Sequence, residues 1–517
     1  MDVHGIHRLA LLLAVIAGIS FVSGKKQNTE SKGESNSGIQ LKDIVFIALS
    51  QKNPYHEKRA EVFKQDFESQ VQELAEDDKP KLIFIHKKHR SVLGAWNVFP
   101  LLPTFAKDYA DAAWLFVCEE ETRFDVHRLL KVLQRFDHSK DLYLGHPLRD
   151  QSPTIIHHYA FHDNPSKFAY ADWGAGFVLS QPLLAKMGKR WPDKDFKADF
   201  TIDPKHELAR YIYSDAFNVT LTPVTEICLV KKSQKCASWY PMKFPDCGPE
   251  IPEEDLFVAV KTCAKYHKER IPVVRKTWGN TAKNVEYYSD VEDRTIPTVN
   301  LGVPNTERGH CGKTMAIIKR LQSHPKISQI PWFIIVDDDT IINLKRLRKL
   351  LACYDSNFPI HMGEKYGYMV TKNDHGYTYI TGGGGMVFSK EAIDVIVLTH
   401  RADCPSNDAP DDMILGRTFK AIGLPLVHSP YFHQARPVDY SPEFLSARTA
   451  ISFHKHWMND PIQTYQDLIA ADESIDQPET EEEEMADTKN SENMGDKNVD
   501  LSLSNIKDDT SSPKEEL

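Results

Sequence analysis

The chain has 517 residues, 41% of them hydrophobic and 26% charged, with a formal net charge of -10. That length supports two or more domains with full cores. The acidity is concentrated at one end: from Asp472 onward 16 acids face 4 bases, leaving a near-neutral body of 57 acids and 59 bases, so net charge gives no support for nucleic-acid binding.

Residues 1–24 read as a secretory signal peptide. His7 and Arg8 flank an apolar run from Leu9 to Val22, and Ser23 and Gly24 supply small residues for cleavage. The run is short against the roughly 20 residues of a membrane span, and an uncleaved type II anchor is the other reading. Residues 25–41 are a polar linker with nothing to bury. A strand pattern at Asp43–Leu49 then leads into Tyr55, His56 and Arg59. The apolar run Trp114–Cys118 ends in Glu119, Glu120 and Glu121, and Asp172–Ser180 forms a glycine-containing turn into another strand. Asn218-Val-Thr220 is a glycosylation sequon, which implies an exposed loop if used.

After a Pro- and Cys-containing linker at 239–252 the same landmarks return. Tyr266, His267 and Arg270 repeat Tyr55, His56 and Arg59 at an offset of 211; Asp337–Asp339 repeat Glu119–Glu121 at 218; Thr381–Ser389 repeat Asp172–Ser180 at 209. Three landmarks in one order predict a duplication, with a first domain over 42–238 and a second over 253–465. Asn343 is placed to cap a helix carrying Leu344, Leu347, Leu350 and Leu351 on one face, and Ser389 to cap another over 391–398. Strands alternating with such helices predict an α/β fold with a mostly parallel sheet in each half.

From residue 466 the chain is acidic, Ser- and Asn-rich and poor in aromatics, which predicts disorder. It ends in Lys514-Glu515-Glu516-Leu517, similar to the Lys-Asp-Glu-Leu retrieval signal, so the lumen of the endoplasmic reticulum and a KDEL-type retrieval receptor are expected. That compartment permits disulfides. Eight cysteines, none in a Cys-x-x-Cys pair, allow 105 full pairings; Cys118, inside a buried-looking strand, is expected to stay free.

Four features can carry chemistry. Asp337 and Asp339 alternate along the end of an apolar strand and can share one side, where hard oxygen ligands suit Mg²⁺ or Mn²⁺; the plain alternative is a solvated strand end. Asp411 and Asp412 open a helix predicted over 413–421, either complementing its dipole or supplying a general base. The run Gly382–Gly385 lets backbone approach a ligand, or is a tight turn. His433 is either a third metal ligand, tilting preference towards Mn²⁺, or structural. Gly309–Thr314 is not a phosphate-binding loop, because Glu307 stands where that motif requires glycine. His454 and His456 alternate on a strand without a third partner at zinc spacing, and read as structural or acceptor-facing.

Residues 255–457 resemble the fringe-like β-1,3-glycosyltransferases, glycosyltransferase family 31, of the GT-A fold. The resemblance rests on Lys261-Thr262 with His267 and Arg270, on Arg275-Lys-Thr-Trp278, on Lys313, Trp332…Asp337–Asp339, Thr381–Gly385, Asp411-Asp412 and Phe432-His433. It implies two tandem GT-A-like domains, the first degenerate. It also implies Mn²⁺ held by Asp337, Asp339 and His433, and a base at Asp412, with Asp411 second. Donor contacts would come from Thr262, Arg270, Ser289, Asp290, Lys313, Asp338, Gly383 and Gly384. The weak first half, the chain end, Phe432–Pro437 and Ile451–Trp457 look similar to family members that transfer glucose from UDP-glucose to O-linked fucose on thrombospondin type 1 repeats. Ser289–Asp293 departs from the Gly-Glu-Asp stretch common in the family. A non-catalytic lectin-like or chaperone-like protein, or a transferase of another UDP-sugar, are the competing readings. The first half keeps a strand and acids but has no paired acids near Ile202–His206, so it is expected to bind acceptor or stabilise rather than turn over. Accordingly, Glu119→Ala and Glu121→Ala in folded protein should leave turnover largely intact, measured as UDP release.

Overall fold

The computed structural model describes residues 38–196, 199–371, 375–399 and 403–470. The expected signal peptide, the tail from 471 and its Lys-Glu-Glu-Leu end lie outside them; residues 466–469, expected to be disordered, instead complete a helical turn Tyr465–Ile469 whose Ile469 is buried and accepts from Asn343 Nδ2 at 2.6 Å.

Two sheets dominate. The first runs in the order Leu221–Pro223, Tyr143–Gly145, Phe177–Ser180, Trp114–Glu119, Ile44–Leu49, Lys81–Phe84. The second runs Val427–His428, His361–Gly363, Met386–Ser389, Trp332–Asp337, Leu256–Lys261, Asn284–Ser289, Thr298–Asn300. Strand for strand the order is the same, with one extra edge strand in the second half, so the duplication read from the offsets is a duplication of topology. In each half the central strands are apolar up to their carboxyl-terminal residue because both faces are covered. Val45 and Ile47 enter one core while Ile44, Phe46 and Ala48 enter another; Val258 and Val260 divide from Phe257 and Ala259 in the same period of two.

The sheets are not uniformly parallel. Phe177–Ser180 and Met386–Ser389 run antiparallel to both neighbours. A glycine turn precedes each of them, with Gly176 at φ 87° and Gly385 at φ 103°. A Cβ at Gly176 would also lie 2.4 Å from the Phe116 ring. Asn343 caps the helix Leu344–Leu351 through Arg346 N–H at 2.8 Å, and Ser389 caps Lys390–Leu398 through Ala392 N–H at 3.2 Å. The later helix begins at Asp411 rather than Met413, which puts both acids in its first turn.

The halves are joined by more than the linker. Phe200–Thr201 pairs with Gly367 and Tyr368, and Gln51 exchanges two hydrogen bonds with the backbone of His428, at 2.8 and 2.9 Å. Three disulfides form: Cys228–Cys236, Cys247–Cys353 and Cys311–Cys404. Cys118 and Cys263 are free and buried. Cys311–Cys404 closes a 93-residue loop that contains the Asp triplet and the glycine run. Loops of that length gain about 4–5 kcal/mol from cross-linking. A Cys311→Ser/Cys404→Ser double variant should therefore lose several kcal/mol of unfolding free energy in urea titrations, whereas opening the 8-residue Cys228–Cys236 loop should cost less.

Candidate active site

Carboxyl ends of strands in an open α/β sheet gather ligands, and here they gather charge. Lys261 ends its strand directly beside Asp337 in the parallel register. Its ammonium lies 3.0 Å from Asp337 Oδ1 and 2.8 Å from Asp411 Oδ2, joining the strand-end acids to the helix that begins at Asp411. Burial alone would push this lysine down; the two carboxylates overcome it and hold it above its ordinary value.

The Asp triplet splits to two sides. Asp337 and Asp339 face His454, whose Nε2 is 3.7 Å from Asp337 Oδ2 and 3.1 Å from Asp339 Oδ1. One donor atom from each of the three lies within 4.8 Å of the others. The other ring nitrogen, Nδ1, donates to Gln434 O at 3.0 Å, which orients the ring with Nε2 towards the acids. Asp338 turns away and accepts from Thr262 Oγ1 at 2.7 Å and Arg270 Nη1 at 2.9 Å. Arg270 also reaches Asp339 at 2.9 Å and stacks over Tyr266. Burial, then the charge of Asp339, raises Asp338 to about 6. For Asp339 the rise from burial is overcome by His454 and Arg270, which hold it well below the carboxylate range.

His433 does not join this group. Its ring is buried, stacked on Phe453 at 4.6 Å and edge-on to Tyr440, with Nδ1 donating to Ser452 O at 3.0 Å. It lies on the wall of a cavity of about 780 Å³ between the halves, with Glu119, Lys205, Lys365 and His428. Burial pushes it down to about 4. The third donor beside the acids is His454, whose strand Ser452–His454 pairs antiparallel with Thr340–Ile342, so that His454 sits opposite Thr340, one residue after Asp339.

The glycine run is required by this packing. A Cβ at Gly383 would lie 2.3 Å from the His454 ring, and Gly383 O accepts from Thr340 Oγ1 at 2.8 Å. Gly384 N–H donates to Gln434 Oε1 at 2.9 Å, and Gly384 O accepts from Ser452 Oγ at 2.5 Å. Lys313 Nζ donates to Thr262 O at 2.6 Å and Asn305 Oδ1 at 3.1 Å; Ser289 Oγ contacts His267 Nε2 at 2.8 Å and donates to Asp290 Oδ1 at 3.1 Å. Thr262, Ser289 and Asp290, at adjacent strand ends, thus share one rim with Lys313 from the helix Cys311–Ser323. Asn218 is exposed, as a used sequon requires.

The two acids of the helix start are driven apart. Asp411 is held by Lys261 and by Thr314 Oγ1 at 2.5 Å; burial would raise it, but these partners bring it down to about 2. Burial and the neighbouring Asp411 charge raise Asp412 to about 7, against hydrogen bonds from Met413 N–H at 2.7 Å and Gly382 N–H at 3.4 Å. Adjacent carboxyls pushed apart in this way are suited to different tasks, one a fixed anion and the other a base near neutrality. From sequence Lys261 enters only through the family resemblance, His454 reads as structural or acceptor-facing, and Thr314 has no role assigned. The place of Lys261 beside the acids emerges only from strand register, and that of His454 from the pairing of segments more than a hundred residues apart.

A profile of the Fringe-like family matches residues 39–207 and 251–476, once in each half. The chain is 49% identical over 436 residues to the beta-1,3-glucosyltransferase of Mus musculus, covering 84% of this chain and 88% of that protein. With the beta-1,3-glucosyltransferase of Homo sapiens it is 46% identical over 482 residues, covering 92% and 96%. The beta-1,3-N-acetylglucosaminyltransferase lunatic fringe of Homo sapiens is 28% identical over 200 residues, 35% of this chain and 52% of that one.

If Asp412 is the base, it must be ionised to work. Turnover should rise as pH increases through about 7 and level off above it, instead of levelling near pH 5 as an ordinary aspartate would allow. A kcat–pH profile checks this, and Asp412→Asn should remove the limb together with nearly all turnover.

Proposed function

The chain belongs to the Fringe-like family and is a β-1,3-glycosyltransferase, a hexosyltransferase; from that premise we propose that it transfers glucose from UDP-glucose to the 3-hydroxyl of O-linked fucose on thrombospondin type 1 repeats, with inversion and with Mn²⁺. The observation that carries this reading is the joint presence in one half of a base-like carboxyl at Asp412 and a three-donor cation site at Asp337, Asp339 and His454. The donor sugar is proposed from the two glucosyltransferases that match most of the chain.

Two carboxylate oxygens and an imidazole nitrogen suit Mn²⁺ better than an all-oxygen Mg²⁺ shell. Asp337, Asp339 and His454 would hold the ion, which when bound neutralises charge on the diphosphate as it leaves. Asp412 takes the proton of the acceptor hydroxyl. The oxygen then forms a bond to the anomeric carbon, and the bond to the diphosphate oxygen breaks with its electron pair leaving on UDP. Lys261 keeps Asp411 and Asp337 in place, so that Asp412 faces the acceptor with an anion fixed at its back. Thr262, Ser289, Asp290 and Lys313 form the nucleotide rim.

Acceptors are fucosylated repeats of secreted proteins, met in the lumen of the endoplasmic reticulum. The leader at 1–24 and the Lys-Glu-Glu-Leu end, read by a KDEL-type receptor, support that place. Among the described residues no helix is long and apolar enough to cross a membrane.

The reading is tested by UDP release from a panel of UDP-sugars with a fucosylated thrombospondin repeat and Mn²⁺. UDP-glucose should be turned over, a chelator should abolish it, and Asp339→Ala and Asp412→Ala should each lower kcat by at least a hundredfold. Release no greater in wild type than in these variants, for every donor, would sink the enzyme reading in favour of a glycan-binding one.

A further inference from the structure

A buried acid beside the triplet of the first half, Asp172, is paired with a side chain of the second. Arg448 is buried, with its guanidinium 3.0 and 3.2 Å from the two oxygens of Asp172 and 3.9 Å from Glu119. Asp172 is itself fully buried and accepts from Ala175 N–H at 2.7 Å. Tyr240, from the linker, and Phe444 sandwich the guanidinium at 4.3 and 4.2 Å. The fit leaves no spare room: a Cβ at Gly174 would lie 2.3 Å from an Arg448 nitrogen.

Six residues on, the same segment supplies His454. The path between them is held at each step. Ala450 O accepts from Arg346 at 2.7 Å, Ile451 N–H donates to Tyr431 O at 2.7 Å, and Ile451 O accepts from Asn343 N–H at 2.8 Å. Ser452–His454 then pairs with the strand that follows Asp339. Arg448 is the point at which this segment is fixed to the first half, and His454 is the point at which it meets the strand-end acids of the second.

We infer that Asp172 is a positioning residue for the cation site of the second half: by holding Arg448 it sets the strand that presents His454 to Asp337 and Asp339. The inference rests on the proposed metal site. Glu119 contributes less because it is farther from the guanidinium, in keeping with the small effect expected for its removal. The first half is thereby given a task in the reaction without any turnover of its own.

Mn²⁺ binding to the full-length protein, followed by the loss of the free-ion electron paramagnetic resonance signal, tests this without any activity assay. Asp172→Asn should raise the dissociation constant about tenfold, the scale of disturbing a group that orients a ligand. The loss should not add to that of His454→Ala: the double variant should bind no more weakly than His454→Ala alone. An unchanged constant in Asp172→Asn, or full additivity with His454→Ala, overturns the inference. Should Asp172→Asn fail to fold because Arg448 is left buried and unpaired, Asp172→Asn/Arg448→Met removes both charges at similar volume. Its expected loss is again about tenfold, and wild-type affinity in that folded protein overturns the inference equally. Absence of Mn²⁺ binding by the wild type would instead remove the metal reading itself.

Discussion

Three carboxylates at the buried end of an apolar strand must be compensated, and the way each half meets that constraint decides what the half can do. Isolated charge is costly to bury, so such groups are found paired, metal-bound or protonated. In the second half compensation comes from Lys261, Arg270 and His454, with Asp337 left partly open to solvent. In the first half Glu120 is paired with His56, Glu121 lies 3.2 Å from Arg59, and Asp172 and Glu119 face Arg448. One arrangement leaves a face where a cation fits; in the other the acids border the cavity but their charges are met by side chains of the protein itself.

Lys261 extends that constraint to the helix at 411–422. A single ammonium shared by Asp337 and Asp411 ties the two acidic elements together, and it does so at different cost to each member of the Asp411–Asp412 pair. Asp411 gains the lysine and Thr314 and stays ionised; Asp412 gains only backbone donors and feels its neighbour's charge. The chemistry of the site therefore depends on strand register, since a slip of one residue would turn Lys261 to the other face of the sheet.

Much of the architecture was legible in sequence because duplication is written in offsets that survive divergence. The Tyr-His and Arg landmarks, the acid triplets and the glycine turns fall at matching places in two sheets of the same strand order. Asn343 and Ser389 were legible as caps because capping is local. The reversed strand after each glycine turn was not, since periodicity carries no direction. His433 was over-read: a histidine beside aromatics in sequence is also beside aromatics in space, stacked on Phe453 and away from the acids. His454 was under-read, because its partners stand 115 and 117 positions earlier and meet it only through the pairing of Ser452–His454 with Thr340–Ile342. Asp172 carried no signal beyond differing from Thr381, since its partner lies 276 residues away.

The two acid clusters also differ in how their positive partner is supplied. A metal ion is held by mass action, and its occupancy follows the concentration of the ion in the surrounding fluid. Arg448 is part of the chain, so its effective concentration at Asp172 is set by tether and fold, and no chelator or dilution changes it. Duplication gave the molecule two similar sockets. As proposed, one answers to the ions around the protein, and the other is filled from within whenever the chain is folded.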